Sequence, residues 1–314
     1  MNIFRPLMFL CLVILLILVA SWTIFKLERV KQSRADAFFA RFRVGGHRGV
    51  MDDEPENSIE AFRSAKKAGV DLIELDVMLT KDKVELKKAI IMHDDTTGRT
   101  GSVDVVVEGT KYEDLRNITL KHPKGGSPSS IPTLEEALDF IKKENLMVII
   151  DVKDHSHEMT TKICRFIHHF SLYDQAIVSS FSPIVPYNIK KMDPNILTGI
   201  TFRRWAQSSL REDDDSTNRH PIWINWLYAL VDFLLYHSIT TFVLPRFLGT
   251  EMILANHLDI SPKFVLTSRN NGFHVVSWTT NSVAEAVFLR SLKIPLLTDH
   301  PSVIIPAVSS SSIQ

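Results

Sequence analysis

Residues 71–77 read Asp-Leu-Ile-Glu-Leu-Asp-Val, an apolar run in which two carboxylates stand two positions apart. The composition of this run predicts a β-strand, and alternate side chains of a strand point to the same side. Glu74 and Asp76 are therefore expected to face one way together. The same arrangement, an apolar strand that ends in polar residues, recurs along the chain and indicates both its fold and its chemistry.

Strand-like runs alternate with amphipathic stretches from about residue 43 to residue 301. Two of these stretches begin at helix-capping residues, Ser58 and Thr133, and Glu136 completes a capping box with Thr133. About eight strand–helix units in roughly 260 residues fit an α/β fold of the TIM (β/α)8 barrel type. A doubly wound open sheet would give nearly the same pattern. The predicted strands are residues 44–46, 71–77, 89–92, 147–152, 176–180, 196–200 and 274–279, with a further one near 252–257.

Polar residues stand at the ends of the predicted strands, and in a barrel the carboxyl ends of the strands converge on one face. Three carboxylates crowded there would repel one another unless a cation neutralised them, and oxygen ligands suit Mg²⁺ or Ca²⁺. Arginine and lysine beside such a metal suit a phosphate, and two histidines suit proton transfer. Each residue alone is more often structural, so the prediction of metal-assisted phosphodiester cleavage depends on their shared position. They are His47, Arg48, Glu74, Asp76, His93, Asp151 and Lys153, with Trp278 and Asn281 after a late strand.

The order of these motifs resembles the glycerophosphodiester phosphodiesterase family, and the resemblance covers nearly all of the chain after residue 43. It implies a TIM barrel with one divalent cation, Mg²⁺ or Ca²⁺. The matching segments are His47-Arg48-Gly49, Pro55-Glu56-Asn57-Ser58, Glu74-Leu75-Asp76-Val77, His93-Asp94-Asp95-Thr96, Arg99-Thr100, Ile131-Pro132-Thr133-Leu134, Asp151-Val152-Lys153, Ser179-Ser180-Phe181, Trp278-Thr279-Thr280-Asn281 and Thr298-Asp299.

The resemblance also implies the reaction and a role for each matching residue. The reaction would be hydrolysis of glycerophosphodiesters, of the glycerophosphoinositol or lysophospholipid type. The products would be glycerol 3-phosphate, or a lysophosphatidate-type product, and an alcohol. The implied roles are acid/base catalysis for His47 and His93, metal binding for Glu74, Asp76 and Asp151, phosphate contact for Arg48 and Lys153, shaping of the first loop for Glu56 and Asn57, and lining of the head-group pocket for Trp278 with support from Asn281.

Two departures from the family pattern keep other functions open. Many members carry Glu where this chain has Asp151, and the segment from Asp82 to His93 is longer than usual and lacks a glycine turn. A changed register before His93 would displace it. The alternatives are a sphingomyelinase D-like phospholipase and, in another class, a catalytically silent membrane-bound interaction protein.

The N-terminus carries a predicted membrane anchor within residues 1–30. No charged residue occurs from Leu7 to Phe25, and at about 1.5 Å per residue this run crosses roughly 30 Å. A cleaved signal peptide is the alternative. The basic residues that follow the run favour a cytoplasmic body by the positive-inside rule, whereas the family resemblance favours a lumenal or extracellular one. Asn117-Ile118-Thr119 is a glycosylation sequon if the body is lumenal.

The barrel domain is predicted to occupy residues 40–307, with an apolar insertion at about 211–250 and a disordered tail at 308–314. The core of the insertion, 222–244, could cross the membrane, lie on it, or pack on protein. Asp232 near its middle argues against a simple crossing, because a carboxylate is costly in lipid. The chain has 36 Lys+Arg and 36 Asp+Glu, which gives no electrostatic reason to expect nucleic-acid binding. Protein partners cannot be predicted from it.

Overall fold

The computed structural model describes residues 4–82, 88–210 and 217–310. Strands and helices alternate through most of this range, as the sequence predicts. In chain order the strands are β1 (Val44–His47), β2 (Leu72–Leu79), β3 (Ala89–Ile91), β4 (Thr119–Leu120), β5 (Ser129–Ser130), β6 (Met147–Val152), β7 (Ala176–Ser180), β8 (Leu197–Phe202), β9 (Met252–Asn256), β10 (His274–Trp278) and β11 (Leu296–Thr298). The helices are α1 (Phe4–Phe25), α2 (Gln32–Ala40), α3 (Ile59–Ala68), α4 (Tyr112–Arg116), α5 (Leu134–Lys143), α6 (His157–His169), α7 (Ile184–Met192), α8 (Ile222–Thr240), α9 (Val243–Leu248), α10 (Pro262–Asn270), α11 (Val283–Ser291) and α12 (Pro301–Ser310), with a 3-10 turn at His257–Asp259.

Eight parallel strands close into a barrel, which confirms the predicted TIM-type fold and rules out the open sheet. The ring runs β1-β2-β6-β7-β8-β9-β10-β11 and returns to β1, because β1 pairs with both β2 and β11. Side chains on β2 alternate as its sequence predicts. Leu72 packs inside the barrel, and Ile73, Leu75 and Val77 pack outside it against the helices.

The strand at Ala89–Ile91 differs from its predicted role. We expect from the sequence a parallel barrel strand there, but β3 pairs antiparallel with β2, with Val77 opposite Ile91. The chain ascends along β2 and descends along β3, which leads to His93 above the barrel. The eighth parallel strand is instead β11, at Leu296–Thr298, which is absent from the predicted strands. Residues 83–87 of the altered segment lie outside the described residues.

Helix ends follow the capping residues read from the sequence. Ser58 caps α3 by accepting from the Ala61 backbone N–H, and Gly69 ends that helix in the left-handed conformation with φ of 88°. Thr133 and Glu136 form the predicted capping box at the start of α5. These local signals fix the loops that precede both helices, and the loop before α3 carries part of the candidate site.

Helix α2 closes the amino-terminal end of the barrel. Phe38, Phe39 and Phe42 join the inner core formed by β2, β6 and the other strands. Burial of each such side chain stabilises the fold by roughly 1.5–3 kcal/mol. The predicted barrel boundary at residue 40 is therefore too late, since α2 belongs to the folded domain.

The floor of the barrel also contains a buried ion pair. Lys190 Nζ lies 2.7 Å from Glu251 Oε1, and both side chains are fully buried. Glu251 accepts two further hydrogen bonds, from the backbone N–H groups of Val30 and Thr198. The pair thereby joins α7, β8 and β9 to the segment that leads out of α1.

The apolar insertion is a long helix on the outside of the barrel. α8 is long and apolar enough by composition to cross a membrane, and 17% of its most apolar 18-residue window is buried. Its buried positions are Asp232 and Ile239. The strand before the insertion, β8, pairs in parallel with the strand after it, β9.

The two ends of the chain complete the fold. Residues from Phe4 to Phe25 form the single helix α1, whose last turn touches α9 through the rings of Trp22 and Phe247, 5.6 Å apart. At the other end α12 continues to Ser310 and buries Val308. The predicted disordered tail therefore begins too early at 308, and residues 311–314 lie outside the described residues.

Candidate active site

Three carboxylates meet at the carboxyl end of the barrel. Glu74 and Asp76 point inward from β2, and Asp151 stands opposite Asp76 on the neighbouring β6. One oxygen from each lies within 4.8 Å of the others, and all three are buried. The structure thus brings together the predicted metal ligands, which we call the mouth cluster.

Two cations compensate part of this negative charge. Lys153 Nζ bridges Asp76 at 2.9 Å and Asp151 at 2.7 Å. Arg48 Nε lies 3.1 Å from Asp76, and its backbone N–H donates to Glu74. Burial alone would raise the pKa of Asp76, but Lys153 and Arg48 hold it well below its usual range. The pKa of Lys153 is raised by the same carboxylates, against the effect of burial.

The pKa of Glu74 shows that the mouth cluster has more carboxylates than its neighbouring cations can neutralise. Burial, reinforced by the negative charge of Asp76, raises the pKa of Glu74 to about 8. A carboxylate so placed stays protonated near neutral pH unless another cation joins it. The all-oxygen donor set suits a hard divalent ion such as Mg²⁺ or Ca²⁺. The residues present therefore fit one divalent cation.

His47, at the end of β1, is held by a carboxylate that follows β11. Its Nδ1 lies 2.7 Å from Asp299 Oδ1, and Asn281 donates to the other oxygen of Asp299 at 2.7 Å. Burial would lower the pKa of His47, but the hydrogen bond to Asp299 and the charge of Glu74 raise it above its ordinary value. Its Nε2 lies 3.9 Å from Glu74, so this nitrogen faces the mouth cluster.

His93 reaches the same place from β3. Its Nδ1 lies 2.6 Å from Asp94, which is in turn held by Arg99. Burial lowers the pKa of His93, and the nearby cations Lys153 and Arg48 lower it further, although Asp76 opposes them. The two histidines thus carry pKa values shifted in opposite directions, an arrangement that suits one proton donor and one acceptor.

The other predicted site residues lie behind these groups. Glu56 accepts from Arg48 at 3.0 Å and from Arg99 at 2.8 Å, so it orients cations. Asn57 donates to Asp76 at 2.9 Å, with its backbone in the left-handed region at φ of 58°. Together with Asn281 they support the residues that line the cavity without lining it themselves.

A cavity of about 430 Å³ opens over the mouth cluster. Arg48, Lys153 and both histidines line its polar side, and Trp278 lines an apolar side with Phe181, whose ring meets it edge-on at 5.6 Å. Trp278 is fixed by donation of its Nε1 hydrogen to the Leu254 carbonyl at 3.2 Å. The arrangement can bind a cation and a phosphate-bearing ligand and exchange protons with that ligand.

Sequence reasoning missed several residues of the candidate site. It gives no role to Asp299, the partner of His47, although the residue directly follows an apolar run, because the short strand β11 is not recognised there. It also misses the contribution of the loop after β8 and of the insertion that follows this loop. The residues of these two segments that line the cavity are Arg203, Ala206, Gln207, Leu210 and Arg219.

Comparison with known sequences gives a consistent result. The profile of the Glycerophosphoryl diester phosphodiesterase family matches residues 47–303. Glycerophosphodiester phosphodiesterase 1 from Homo sapiens is 30% identical over 276 residues, which is 85% of this chain and 81% of the human protein. The Mus musculus protein of the same name is 32% identical with the same coverage.

Solved structures share the fold. A phosphodiesterase from Oleispira antarctica, in complex with the product sn-glycerol-3-phosphate, superposes with a TM-score of 0.68 at 20% sequence identity. The match covers 87% of this chain and 99% of that one. A glycerophosphodiester phosphodiesterase from Thermotoga maritima gives a TM-score of 0.61 at 19% identity, covering 84% and 97% of the two chains.

Proposed function

Since this chain belongs to the Glycerophosphoryl diester phosphodiesterase family and is a phosphodiester hydrolase, we propose that it cleaves glycerophosphodiesters with one divalent cation and two histidines. The observation that carries the proposal is the mouth cluster, three buried carboxylates within 4.8 Å beside two histidines. A purely structural site has no need of such a surplus of buried acid.

Glu74, Asp76 and Asp151 would hold the cation. When bound, it supplies positive charge to a phosphoryl oxygen and favours attack on phosphorus. Arg48 and Lys153 bind the remaining phosphate oxygens. Lys153 now bridges two carboxylates of the cluster, so its ammonium is already poised beside the place where the phosphate is expected.

The histidines divide the proton transfers. The lowered pKa of His93 keeps its ring neutral near pH 7, so it accepts the proton of the attacking glycerol hydroxyl or water. The raised pKa of His47 favours the protonated ring, so it donates to the departing alcohol. Asp299 stabilises that charged ring and fixes its orientation through Nδ1.

The cavity supports a glycerophosphodiester with a sizeable head group. Its polar side carries the charges for the phosphate, and the rings of Trp278 and Phe181 offer an apolar surface for glycerol or the head group. Substrates of the glycerophosphoinositol type and the lysophospholipid type both contain this phosphodiester. Hydrolysis would give glycerol 3-phosphate from the first and a lysophosphatidate-type product from the second.

The test is release of glycerol 3-phosphate from glycerophosphoinositol by the detergent-solubilised full chain, with Mg²⁺, Ca²⁺ or EDTA. His93→Ala is the inactive variant. His257→Ala is its matched control, because His257 also follows a barrel strand and also pairs with a carboxylate, Glu285, at 2.7 Å. His257 does not line the cavity. We expect metal-dependent release by the wild type and the control, and none by His93→Ala.

Other outcomes would point to the alternatives. Turnover of sphingomyelin in place of both glycerophosphodiesters would indicate the sphingomyelinase D-like function. No turnover of any substrate with either metal would favour the silent interaction protein, and the segment before His93 would then be the first place to look.

We also propose that α1 is an uncleaved membrane anchor and that the barrel lies on the lumenal or extracellular side. The continuous 22-residue helix and the exposed position of Asn117 in the described surface support this. Treatment of the protein from animal cells with an endoglycosidase should lower its apparent mass, and Asn117→Gln should abolish that shift. Full digestion of the barrel by protease added to the cytosolic side would contradict this orientation.

A further inference from the structure

Helix α8 presents an apolar surface that the described part of the chain leaves uncovered. Ile222 is 80% exposed, Trp223 73% and Trp226 61%. The helix contains no lysine or arginine, and its acidic residue, Asp232, is turned to the protein side. We call the outward-facing set of Ile222, Trp223, Trp226, Leu230, Phe233 and Leu234 the α8 face.

A single membrane crossing by α8 is incompatible with the barrel. The strands on either side of it are neighbours, with Gly199 of β8 opposite Met252 of β9. A crossing would place these two strands on opposite sides of the bilayer. The carboxylate of Asp232 also accepts from the backbone N–H of Gln207 and Ser208, at 3.0 and 2.9 Å, and from the Ser208 hydroxyl at 2.7 Å. These bonds hold the helix against the body of the barrel.

The position of helix α1 indicates that the α8 face contacts the lipid bilayer. α9 follows α8 directly, and Phe247 of α9 contacts Trp22 in the last turn of α1 and Leu27 just beyond that helix. Its ring lies 5.6 Å from Trp22, and its carbonyl accepts from the Leu27 N–H at 2.9 Å. The bilayer that would hold α1 is therefore adjacent to the end of α8. Exposed tryptophans on an apolar, uncharged face suit the boundary between lipid tails and head groups.

The same helix is connected to the cavity. Asp232 holds Gln207 and Ser208 in the loop after β8. Gln207 and Leu210 of this loop line the cavity, together with Arg219 of the insertion. Leu210 is 59% exposed and also lines the cavity, so it offers an apolar contact at the rim of the mouth. A ligand with one acyl chain could place its tail against Leu210 and the α8 face while its phosphate enters the cavity.

We propose that α8 lies in the surface of the bilayer without crossing it, and that the site takes single-acyl glycerophospholipids directly from that bilayer. The inference rests on the proposed function, since it names the substrate class of the same site. It predicts that the α8 face controls turnover of a membrane-bound substrate and has no influence on turnover of a water-soluble one.

The first test compares two substrates with one head group, using the full chain reconstituted in phosphatidylcholine vesicles. The substrates are water-soluble glycerophosphoinositol and vesicle-embedded lysophosphatidylinositol. The variant is Trp223→Glu/Trp226→Glu. The control is Leu266→Glu/Val303→Glu on α10 and α12, where the exposures are 58% and 55%. We expect the variant to lose at least about tenfold in kcat/KM for the lipid, with turnover of the soluble substrate within about twofold of the wild type.

The outcomes separate this inference from the function on which it rests. Equal lipid turnover by the variant and the wild type would overturn the inference. Turnover of glycerophosphoinositol in the same experiment would still support the proposed function. An equal loss in the control pair would overturn it too, because the effect would then not belong to the α8 face. If the wild type cleaves neither substrate, the proposed function itself fails.

The second test measures how deeply the α8 face lies in the bilayer. A nitroxide is attached at Leu230→Cys in the full chain carrying Cys11→Ser and Cys164→Ala, and its accessibility to oxygen and to a nickel chelate is measured in vesicles. A depth of about 5–10 Å below the head groups is expected, with an aqueous label at Leu266→Cys. A label at the bilayer centre would indicate a crossing helix. A water-exposed label would assign the face to a protein partner. Either result overturns the proposal.

Discussion

The barrel contains a buried group of charged side chains at each end, and the two groups are built differently. On the floor, one cation meets one anion, Lys190 and Glu251, and the remaining oxygen of Glu251 is taken by a backbone N–H. At the mouth, three carboxylates share Lys153 and Arg48, and Arg48 is also engaged by Glu56. Burial alone therefore does not distinguish a functional charge from a structural one, whereas an imbalance of charge does.

The pKa directions express the same difference. Burial lowers the pKa of Lys190 and raises that of Glu251, so both members of the floor pair are pushed toward their neutral forms. At the mouth the pKa of Lys153 is instead raised, because two carboxylates outweigh its burial. The floor pair is complete without a ligand, and the mouth cluster gains from one.

The largest expected effect is at the mouth. Glu74→Gln keeps the size of the side chain and an acceptor for the Arg48 N–H but removes a carboxylate that is proposed to bind the metal. We expect kcat/KM for glycerophosphoinositol to fall at least about 10³-fold, equivalent to roughly 4 kcal/mol. In EDTA at pH 7 the melting temperature should not fall, because Glu74 without a cation is protonated and the neutral glutamine replaces a neutral side chain. A large loss of stability with preserved activity would break the comparison.

The reverse result is expected on the floor. Lys190→Met leaves Glu251 buried without its cation, which costs about 3–5 kcal/mol in similar cases. The free energy of unfolding in urea should fall by this amount. Active-site titration should show that the molecules still folded turn over at the wild-type rate. A fall in kcat per folded molecule would mean that the floor pair also acts on the mouth.

A third pair, which is partly buried, lies between these two kinds. His47 and Asp299 are matched one to one, and His47 lines the cavity. Asp299→Asn removes the charge that raises the pKa of His47, so the limb of the pH–rate profile that needs protonated His47 should move to lower pH. We expect kcat to fall about 10- to 100-fold at pH 7. An unshifted limb would show that His47 is not the group that titrates.

The smallest expected effect is the pH dependence of the free energy of unfolding in the absence of metal. The pKa of Glu74 is about 8 in the fold and near its ordinary value of 4.5 in the unfolded chain, so the folded state binds more protons between these values. Stability in EDTA should therefore fall as pH rises through this window, by up to about 1.4 kcal/mol per pH unit. Unfolding curves at pH 6 and 7.5 measure the slope. It should be absent in Glu74→Gln and reduced by Mg²⁺, and a slope that persists in the variant belongs to another group.

The barrel and most of the candidate site could be predicted because their signals are local. The alternation of Leu72, Glu74 and Asp76 with outward apolar residues determines which side of β2 faces the mouth, and the capping box at Thr133 fixes the start of α5. Roles that depend on residues far apart in the sequence could not be predicted. The partnership of His47 with Asp299 joins positions 252 residues apart.

The direction of a strand or side chain that depends on tertiary contacts also could not be predicted from the sequence. The apolar run at Ala89–Ile91 has the composition of a barrel strand, and its pairing with β2 alone makes it antiparallel. Likewise nothing local to Asp232 indicates that its carboxylate turns inward to Ser208. The role of a buried polar residue in an apolar helix can be assigned when its hydrogen-bond partners are known.

The segment between α1 and α2 has a consequence for how the enzyme meets its substrate. Leu27 is hydrogen-bonded to Phe247, Arg29 to Gly272, and Val30 to Glu251. These bonds hold the segment in an ordered position along the barrel floor. With α1 embedded in lipid as proposed, the catalytic domain would be held at a fixed height and could not swing outward. Its working concentration of lipid substrate would then be a surface density, measured in molecules per unit area, and dilution of the surrounding solution would not change it.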